Sequence, residues 1–225
     1  MCSFEYRCLT FNFIEENTYI IWSARTREAA IIDCGARHPE EQHYLTDFIT
    51  SSKLRPVAAL LTHAHFDHIF GLQTLYDTFG LRPRMHEKEH ANYDMAAEQT
   101  ELFLHRRLDF DVPPAGPDLH DGEEIPVGDL RLKVIETPGH TAGGVCFFLT
   151  PSPEDPPATK PLLFSGDTLF RDSVGRTDLP GGSWIDMEKS IHKCLNTLPE
   201  NTLVLPGHGE TTTIKSERTF HGIGF

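Results

Sequence analysis

The segment "LLTHAHFDHIFG", residues 60 to 71, carries four potential metal ligands within six positions: His63, His65, Asp67 and His68. It follows "VAALL", an apolar run typical of a buried strand. Offsets of 2, 4 and 5 residues from the first histidine cannot share one face of a helix. We therefore expect these side chains on a strand-to-helix turn, where they point into one cavity. Imidazole and carboxylate groups together favour zinc, iron or manganese.

Three more potential ligands follow predicted strands elsewhere in the chain. His140 lies in "ETPGHTAGG", Asp167 in "LLFSGDTLF" and His208 in "LVLPGHGE". Five histidines and two aspartates exceed the about four to six ligands that one ion takes, and they suit two ions that share a carboxylate. We assign one ion to His63, His65 and His140, and the other to Asp67, His68 and His208, with Asp167 bridging them.

This set predicts two divalent cations, zinc in the first place, with iron or manganese as alternatives. Two ions about 3.5–4 Å apart lower the pKa of a shared water to about 7, so that a nucleophile forms at neutral pH. We expect Asp67 and Asp167 to be the catalytic carboxylates, because replacing either with alanine should abolish the loading of two metal ions.

The rest of the chain predicts a mixed α/β fold in a single domain, residues 1 to 225. Strands are predicted in seven segments: "YIIWS", "AAIIDCG", "VAALLTH", "LRLKVIETPG", "GVCFFLT", "PLLFSGD" and "TLVLPGHG". Helices are predicted at about 39–53, 68–80, 87–106 and 184–197. Residues 111–129 and 150–161 read as irregular connectors. The amphipathic stretch 88–108 is explained by core packing, and a lid over the site is the alternative.

The formal net charge of −13 disfavours nucleic acid as a partner, because a nucleic-acid binder needs a concentrated basic face. The 5 cysteines have no close pairing, which predicts free thiols in a reducing compartment. No signal peptide and no apolar run of about 18 residues is found, so we expect a soluble cytoplasmic protein that does not bind membranes. The predicted partner is a small-molecule substrate.

The four ligand motifs together resemble those of the metallo-β-lactamase superfamily, over roughly residues 12 to 214. The resemblance implies an αββα sandwich of two mixed sheets flanked by helices, with the metals at one edge, and the same ligand assignment. "ENTYII", "IIDCGA" and "GDTLFRDSVGRTDLPGG" are most similar to short bacterial glyoxalase II-like proteins. Glyoxalase II is a thioesterase that hydrolyses S-D-lactoylglutathione, so this resemblance implies cleavage of an acyl thioester by a metal-bridging hydroxide.

One departure from glyoxalase II concerns glutathione. The full enzymes carry a basic C-terminal helical extension that binds glutathione, whereas only "ETTTIKSERTFHGIGF" follows the last motif here. "GRTD" at 175 to 178 also occurs in the family's persulfide dioxygenases, which hold a single iron; the equivalent ligands would be His63, His140 and Asp167. A lactone hydrolase is a further alternative. True β-lactamases are disfavoured, since they do not usually use a bridging aspartate at position 167.

Three further residues are candidates for supporting roles. Asp33, in "IIDCG", either hydrogen-bonds a ligand histidine or caps a turn. Arg176 and Asp178 are expected to form an ion pair that orders the loop after Asp167, and contact between Arg176 and substrate is the alternative.

Overall fold

Two β-sheets pack face to face in the computed structural model, which describes residues 2 to 220. The first sheet has 5 strands in the order β1-β2-β3-β4-β5. The bounds of these strands are β1 Phe4–Phe11, β2 Glu16–Ser23, β3 Glu28–Ile32, β4 Arg55–Leu60 and β5 Pro83–Arg84. The pairs β1–β2 and β2–β3 are antiparallel, whereas β3–β4 and β4–β5 are parallel. The sheet is therefore mixed.

The second sheet has 6 strands in the order β13-β12-β9-β8-β7-β6, and its only parallel pair among the described residues is β9–β12. Its bounds are β6 Glu124–Val127, β7 Leu130–Glu136, β8 Val145–Leu149, β9 Leu162–Gly166, β12 Leu203–Pro206 and β13 Thr212–Thr213. A two-stranded ribbon lies between β9 and β12 in the chain: β10 Leu169–Phe170 and β11 Ser173–Val174.

Helices cover the outer face of each sheet. Their bounds are α1 Pro39–Ser51, α2 Leu72–Phe79, α3 His90–Asp94, α4 Ala96–Leu104, α5 Trp184–Thr197 and α6 Ile214–Phe220. Residues of α1 and α2 pack with the outer face of the first sheet, and residues of α5 pack with the outer face of the second. The predicted αββα arrangement is confirmed.

Alternation along β2 shows how the layers form. Because successive side chains of a strand point to opposite faces, Ile21 packs between the sheets while Ile20 faces the helices. All 8 residues of β2 are buried, as expected for a strand covered on both faces. From the second sheet, Phe147 and Phe164 complete the central core and are fully buried.

Two of the predicted helices differ from those observed. The helix predicted at 68–80 begins at Leu72, because residues Phe66–His68 form a tight 3-10 turn and Gly71 precedes the helix. The helix predicted at 87–106 is divided into a 3-10 turn, α3 and α4. It breaks near Met95, where the Asn92 carbonyl accepts a hydrogen bond from the Gln99 side chain.

Six strands of the described part of the chain lie outside the predicted ones: β1, β6 and the two-residue strands β5, β10, β11 and β13. β1 is an edge strand, and its charged and partly exposed residues interrupt the alternation of apolar and polar residues that marks a strand. β6 lies within the connector predicted at 111–129, and it contains Pro126, which an edge strand tolerates. The connector at 150–161 is a loop, as predicted. All 5 cysteines are free, and within residues 2–220 no helix has the length and apolar character needed to cross a membrane.

Candidate metal centre

The loop after β4 carries the first four predicted ligands and is buried against the sheet. His63 and His65 lie in the stretch beyond Leu60, and Asp67 and His68 lie in the 3-10 turn; all four are buried. The loop is pinned to the end of β3 by two backbone hydrogen bonds, from the Cys34 N–H to the His68 carbonyl and from the Gly71 N–H to the Cys34 carbonyl. A side chain at Gly71 would lie 2.6 Å from the Cys34 sulfur. Cys34 therefore packs beneath the loop.

Three of the seven predicted ligands form what we call the trihistidine cluster: His63, His65 and His140. Their ring centroids lie 4.6 to 4.9 Å apart, and their ligand atoms lie within 4.8 Å of one another. The His65 Nδ1 and His140 Nε2 atoms are 2.8 Å apart. The His140 Nδ1 atom lies 2.8 Å from the Arg176 carbonyl oxygen, an acceptor, so this nitrogen carries the proton and Nε2 faces the cluster.

Three more form what we call the aspartate cluster: Asp67, His68 and His208. Their ligand atoms also lie within 4.8 Å of one another. The Asp67 Oδ2 atom is 3.1 Å from the His208 Nε2 atom and 3.6 Å from the His68 Nε2 atom. The His208 Nδ1–H donates to the Ile14 carbonyl oxygen at 3.1 Å, which again leaves Nε2 facing inward.

The seventh predicted ligand, Asp167, lies between the two clusters. Its Oδ1 atom is 3.4 Å from His68 Nε2 and 3.7 Å from His208 Nε2, both in the aspartate cluster. Its Oδ2 atom is 3.5 Å from His140 Nε2, in the trihistidine cluster. The two oxygens of one carboxylate thus face different clusters.

Unpaired buried atoms test whether these residues fit metal ions. The Nε2 atoms of His63 and His68 and the Oδ1 atom of Asp167 are buried and have no hydrogen-bond partner among the described residues. Such atoms are rare, because burying an unpaired polar group costs free energy. The ligand atoms of these three residues lie within 4.8 Å of one another, with His63 and His68 in the loop after β4 and Asp167 after β9. The donor set therefore fits divalent cations, which imidazole and carboxylate groups bind.

The charge states differ between the two clusters. Burial holds the pKa of His63 well below its ordinary value and lowers the pKa of His65 to about 3, so both rings are neutral near pH 7. Burial alone raises the pKa of Asp167, but the neighbouring His68, His63 and His140 outweigh it and hold that pKa well below its usual range. Neutral imidazoles and an ionised carboxylate are the forms that bind metals. In the trihistidine cluster, His63 and His65 are therefore already in the form that binds a metal.

The histidines of the aspartate cluster differ. Burial lowers the pKa values of His68 and His208, but Asp67 and Asp167 outweigh it and hold both pKa values above the ordinary value. Metal binding at the aspartate cluster would therefore release protons.

The Asp33 carboxylate supports the ligand loop from behind. Its Oδ1 atom accepts from the Thr62 N–H at 2.8 Å, and its Oδ2 atom accepts from the Thr62 hydroxyl at 2.7 Å and from His68 Nδ1 at 3.0 Å. The Thr62 hydroxyl in turn accepts from His63 Nδ1 at 3.1 Å. One carboxylate thus orients a ring in each cluster, leaving both Nε2 atoms directed inward. Asp33 achieves this from a left-handed backbone conformation, with φ of 54°.

Arg176 and Asp178 form the expected ion pair, with two hydrogen bonds of 2.7 and 2.8 Å. Both side chains are exposed, and the Arg176 guanidinium lowers the pKa of Asp178 to about 2. Contact with the clusters comes from the main chain of Arg176, whose carbonyl accepts from His140.

Several residues around the site are absent from the motif-based prediction. Asn12 donates to the Asp67 carbonyl at 3.0 Å, and Glu16 is fully buried with its Oε1 atom 3.9 Å from His68 Nδ1. Glu89 and Gln99 contact the backbone of the ligand loop. The available signal for Glu16 is a carboxylate at the start of the otherwise uncharged strand "ENTYIIWS". Glu89 and Gln99 lie in a polar segment without such a signal.

Comparison with known sequences gives a family match over most of the chain. The sequence model of the metallo-beta-lactamase superfamily matches residues 12–208. The probable metallo-hydrolase YqgX of Bacillus subtilis is 34% identical over 205 residues, covering 91% of this chain and 90% of that protein. The hydroxyacylglutathione hydrolase GloC of Haemophilus influenzae is 30% identical over 205 residues, with the same coverage of 91% and 90%.

Solved structures agree with this match. The crystal structure of the B3 metallo-beta-lactamase BLEG-1 is 34% identical, covers 96% of this chain and 97% of its own, and superimposes with a TM-score of 0.82. The crystal structure of TTHA1623 in a di-iron-bound form is 32% identical, with coverage of 94% and 96% and a TM-score of 0.77.

Proposed function

The chain belongs to the metallo-β-lactamase superfamily, and on that premise we propose that this metallo-hydrolase holds two divalent ions and cleaves acyl thioesters such as S-lactoylglutathione. The observation that carries the proposal is the position of Asp167, whose Oδ1 and Oδ2 atoms face different clusters. A carboxylate shared between two ligand sets is characteristic of two-metal hydrolytic sites. The di-iron form of TTHA1623, a protein of the same fold, supports two ions, and zinc is our first expectation for this chain.

The ligands would divide between the ions as the clusters do. The trihistidine cluster would hold one ion, the aspartate cluster would hold the other, and Asp167 would be shared. Bound here, such a pair supplies a water of lowered pKa as nucleophile and a positive charge that polarises a carbonyl oxygen.

The protein's own groups fix the geometry of this chemistry. Asp33 and Thr62 hold the Nδ1 atoms of His68 and His63, and the carbonyls of Arg176 and Ile14 hold those of His140 and His208. Each ring therefore presents a fixed lone pair. The Asp67 carboxylate lies next to His208 and His68. In this scheme it would accept a hydrogen bond from a water between the clusters and orient the water's lone pair toward substrate.

The thioester as substrate is supported by the 30% identity to GloC, whose name states hydroxyacylglutathione hydrolysis. The negative charge of the chain fits a small substrate better than a polyanion. An anionic thioester needs only a local positive field, which bound cations provide.

The test is a turnover screen of the metal-loaded protein combined with metal analysis of the same sample. We expect hydrolysis of S-D-lactoylglutathione or another acyl thioester, and about two metal ions per chain. Oxygen uptake with glutathione persulfide tests the dioxygenase alternative. Hydrolysis of acyl homoserine lactones tests the lactonase alternative. Oxygen consumption without thioester cleavage would contradict the proposal.

β-Lactam hydrolysis is the second candidate, because BLEG-1, a B3 metallo-beta-lactamase of 34% identity, superimposes with a TM-score of 0.82. The bridging position of Asp167 favours the thioesterase. Turnover of a chromogenic cephalosporin faster than of every thioester would reverse this order.

A further inference from the structure

We propose that Glu89 is a positioning residue that holds together the two loops carrying the trihistidine cluster. The inference deepens the proposed metal centre and rests on it. Glu89 belongs to the 3-10 turn Glu87–Glu89, outside every ligand motif, and its hydrogen bonds go to none of the seven predicted ligand side chains. It would act on the metal only through the backbone of the two loops.

The Glu89 carboxylate accepts a hydrogen bond from each loop. Its Oε2 atom lies 2.9 Å from the backbone nitrogen of Ala64, the residue between His63 and His65. Its Oε1 atom lies 2.9 Å from the backbone nitrogen of Gly143, three residues after His140. The first loop follows β4 in one sheet and the second precedes β8 in the other. One carboxylate therefore sets the spacing of ligands that come from opposite sheets.

The burial and hydrogen-bond partners of Glu89 fit a role in holding the two loops together. The residue is 1% exposed, and within residues 2–220 no Lys, Arg or His forms an ion pair with it. Its partners are N–H groups, those of the two loops and the Asn92 side-chain amide, whose nitrogen lies 3.1 Å from Oε2. Burying a carboxylate against neutral N–H groups has a large desolvation cost. We therefore expect Glu89 to do more than fill space.

Gln99 holds the same loop from α4 and completes the anchor. Its Nε2 atom donates to the Ala64 carbonyl at 2.9 Å, and its Oε1 atom accepts from the Phe66 N–H at 3.2 Å. The donor and the acceptor of Ala64 are thus both fixed by side chains of the 87–104 segment. This segment therefore supports the backbone of the ligand loop. A lid, the alternative that the sequence offers, would instead cover the opening of the site.

Gly143 shows how close the approach is. A Cβ atom there would lie 2.9 Å from the Glu89 Oε1 atom and 3.0 Å from its Cγ atom. Any side chain at this position would push Glu89 and the loop apart. The close approach of the Glu89 carboxylate therefore explains why position 143 is a glycine.

The aspartate cluster has a separate anchor. The Asn12 amide donates to the Asp67 carbonyl and to the Gly35 carbonyl, both at 3.0 Å, and Glu89 takes no part in these contacts. Because the two anchors contact different halves of the site, disturbing Glu89 should weaken one ion and spare the other.

The test is Glu89→Gln in the full chain, with Glu87→Gln as the matched control in the same turn, where the side chain is exposed. An amide nitrogen cannot accept a hydrogen bond, so one loop loses its partner. We expect one of the two zinc ions to bind about 10- to 100-fold more weakly in chelator competition, with the other unchanged. In the metal-free protein, the Ala64 or Gly143 amide should exchange hydrogen faster. Glu87→Gln should match wild type in both measurements.

Two further variants keep the result interpretable. Gly143→Ala should reproduce the selective weakening, which covers the case in which Glu89→Gln does not fold. Asn12→Ser should weaken the binding of the other ion.

Equal weakening of the binding of both ions by Glu89→Gln, or no change in binding and exchange, would overturn the inference. A wild-type protein that binds two ions but cleaves no thioester would overturn the substrate proposal alone, and one that binds no ion would overturn both.

Discussion

At the scale of single residues, the site depends on which nitrogen of each imidazole carries the proton. In His68, His140 and His208, the Nδ1 atom is committed to an oxygen outside the clusters, so the Nε2 lone pair faces inward. Hydrogen bonds of this kind fix the tautomer and the ring orientation of metal-binding histidines. The chemistry of the centre is therefore set as much by Asp33 and two backbone carbonyls as by the ligands.

Replacing Asp167 with Asn tests the bridge. The amide keeps the shape but removes the charge and one acceptor, so we expect metal content to fall from about two ions per chain to about one, with loss of most thioesterase activity. Elemental analysis and steady-state rates measure this. Asp172→Asn, an exposed change five residues away, is the control and should retain both. Full activity of the Asp167 variant with two ions bound would be inconsistent with a bridging role.

Asp33→Asn tests the support behind the ligands. Asparagine tolerates the left-handed backbone at this position, so the change isolates the side chain. The amide nitrogen cannot accept, and either Thr62 or His68 loses its partner. We expect about a 10- to 100-fold loss in metal affinity. Chelator competition provides the measurement, and an affinity within twofold of wild type would show that Asp33 only closes a turn.

At the scale of elements, the ends of strands position the site. Four of the seven predicted ligands come from the loop after β4, and the other three follow β7, β9 and β12 of the second sheet. The turn that presents His140 packs directly on α5, since the Ser183 N–H donates to the Gly139 carbonyl at 2.8 Å and the Ser190 hydroxyl donates to the Pro138 carbonyl at 2.7 Å. The outer helix thus holds a ligand turn in place.

Gly139→Ala tests this contact. Gly139 has φ of 149°, and a Cβ there would lie 2.6 Å from the Met187 backbone nitrogen of α5. We expect a loss of about 2 to 4 kcal/mol in the free energy of unfolding, because strain and overpacking combine. Gly80→Ala is the control: φ is 71° but no atom lies within 4 Å of its Cβ, so strain alone costs about 1 kcal/mol. Equal losses in chemical denaturation would rule out the packing contribution.

The elements also show what sequence can predict. The helix at 184–197 was predictable to the residue, because Ser183 caps it after two glycines. The ligand motifs were predictable because each combines a strand pattern with a polar end. β1 was not predictable, because it is a partly exposed edge strand. The division of 87–106 into shorter helices was not predictable either, because it depends on a contact between Gln99 and a loop that is distant in sequence. Glu89 was missed for the same reason: its partners are set by tertiary structure.

At the scale of the whole molecule, the centre joins the two sheets. The loop after β4 belongs to the first sheet, whereas His140, Asp167 and His208 belong to loops of the second. A bound ion would therefore contact both layers in the folded state, and the unfolded chain would lose this arrangement. Binding of this kind stabilises the native state by mass action.

Removing the metal should lower the thermal stability of the whole domain. At a free metal concentration about 100 to 1,000 times Kd, the stabilisation is about 2.7 to 4.1 kcal/mol. For a chain of this size, that corresponds to a fall of about 5 to 15 °C in Tm after chelation. Calorimetry with and without chelator, followed by zinc addition, measures the loss and its recovery. An unchanged Tm would show that the ions do not join the layers.

The contact between His208 and the hairpin of β1 and β2 has a consequence for biosynthesis. The carbonyl that orients this histidine lies 194 residues earlier in the chain, at Ile14. The hairpin leaves the ribosome early, and its partner is translated only near the end of the site-bearing sequence. Nascent chains stalled before position 208 can pair strands of the first sheet, yet they lack the last ligand. On the proposed ligand assignment, the complete centre can form only after translation has passed position 208.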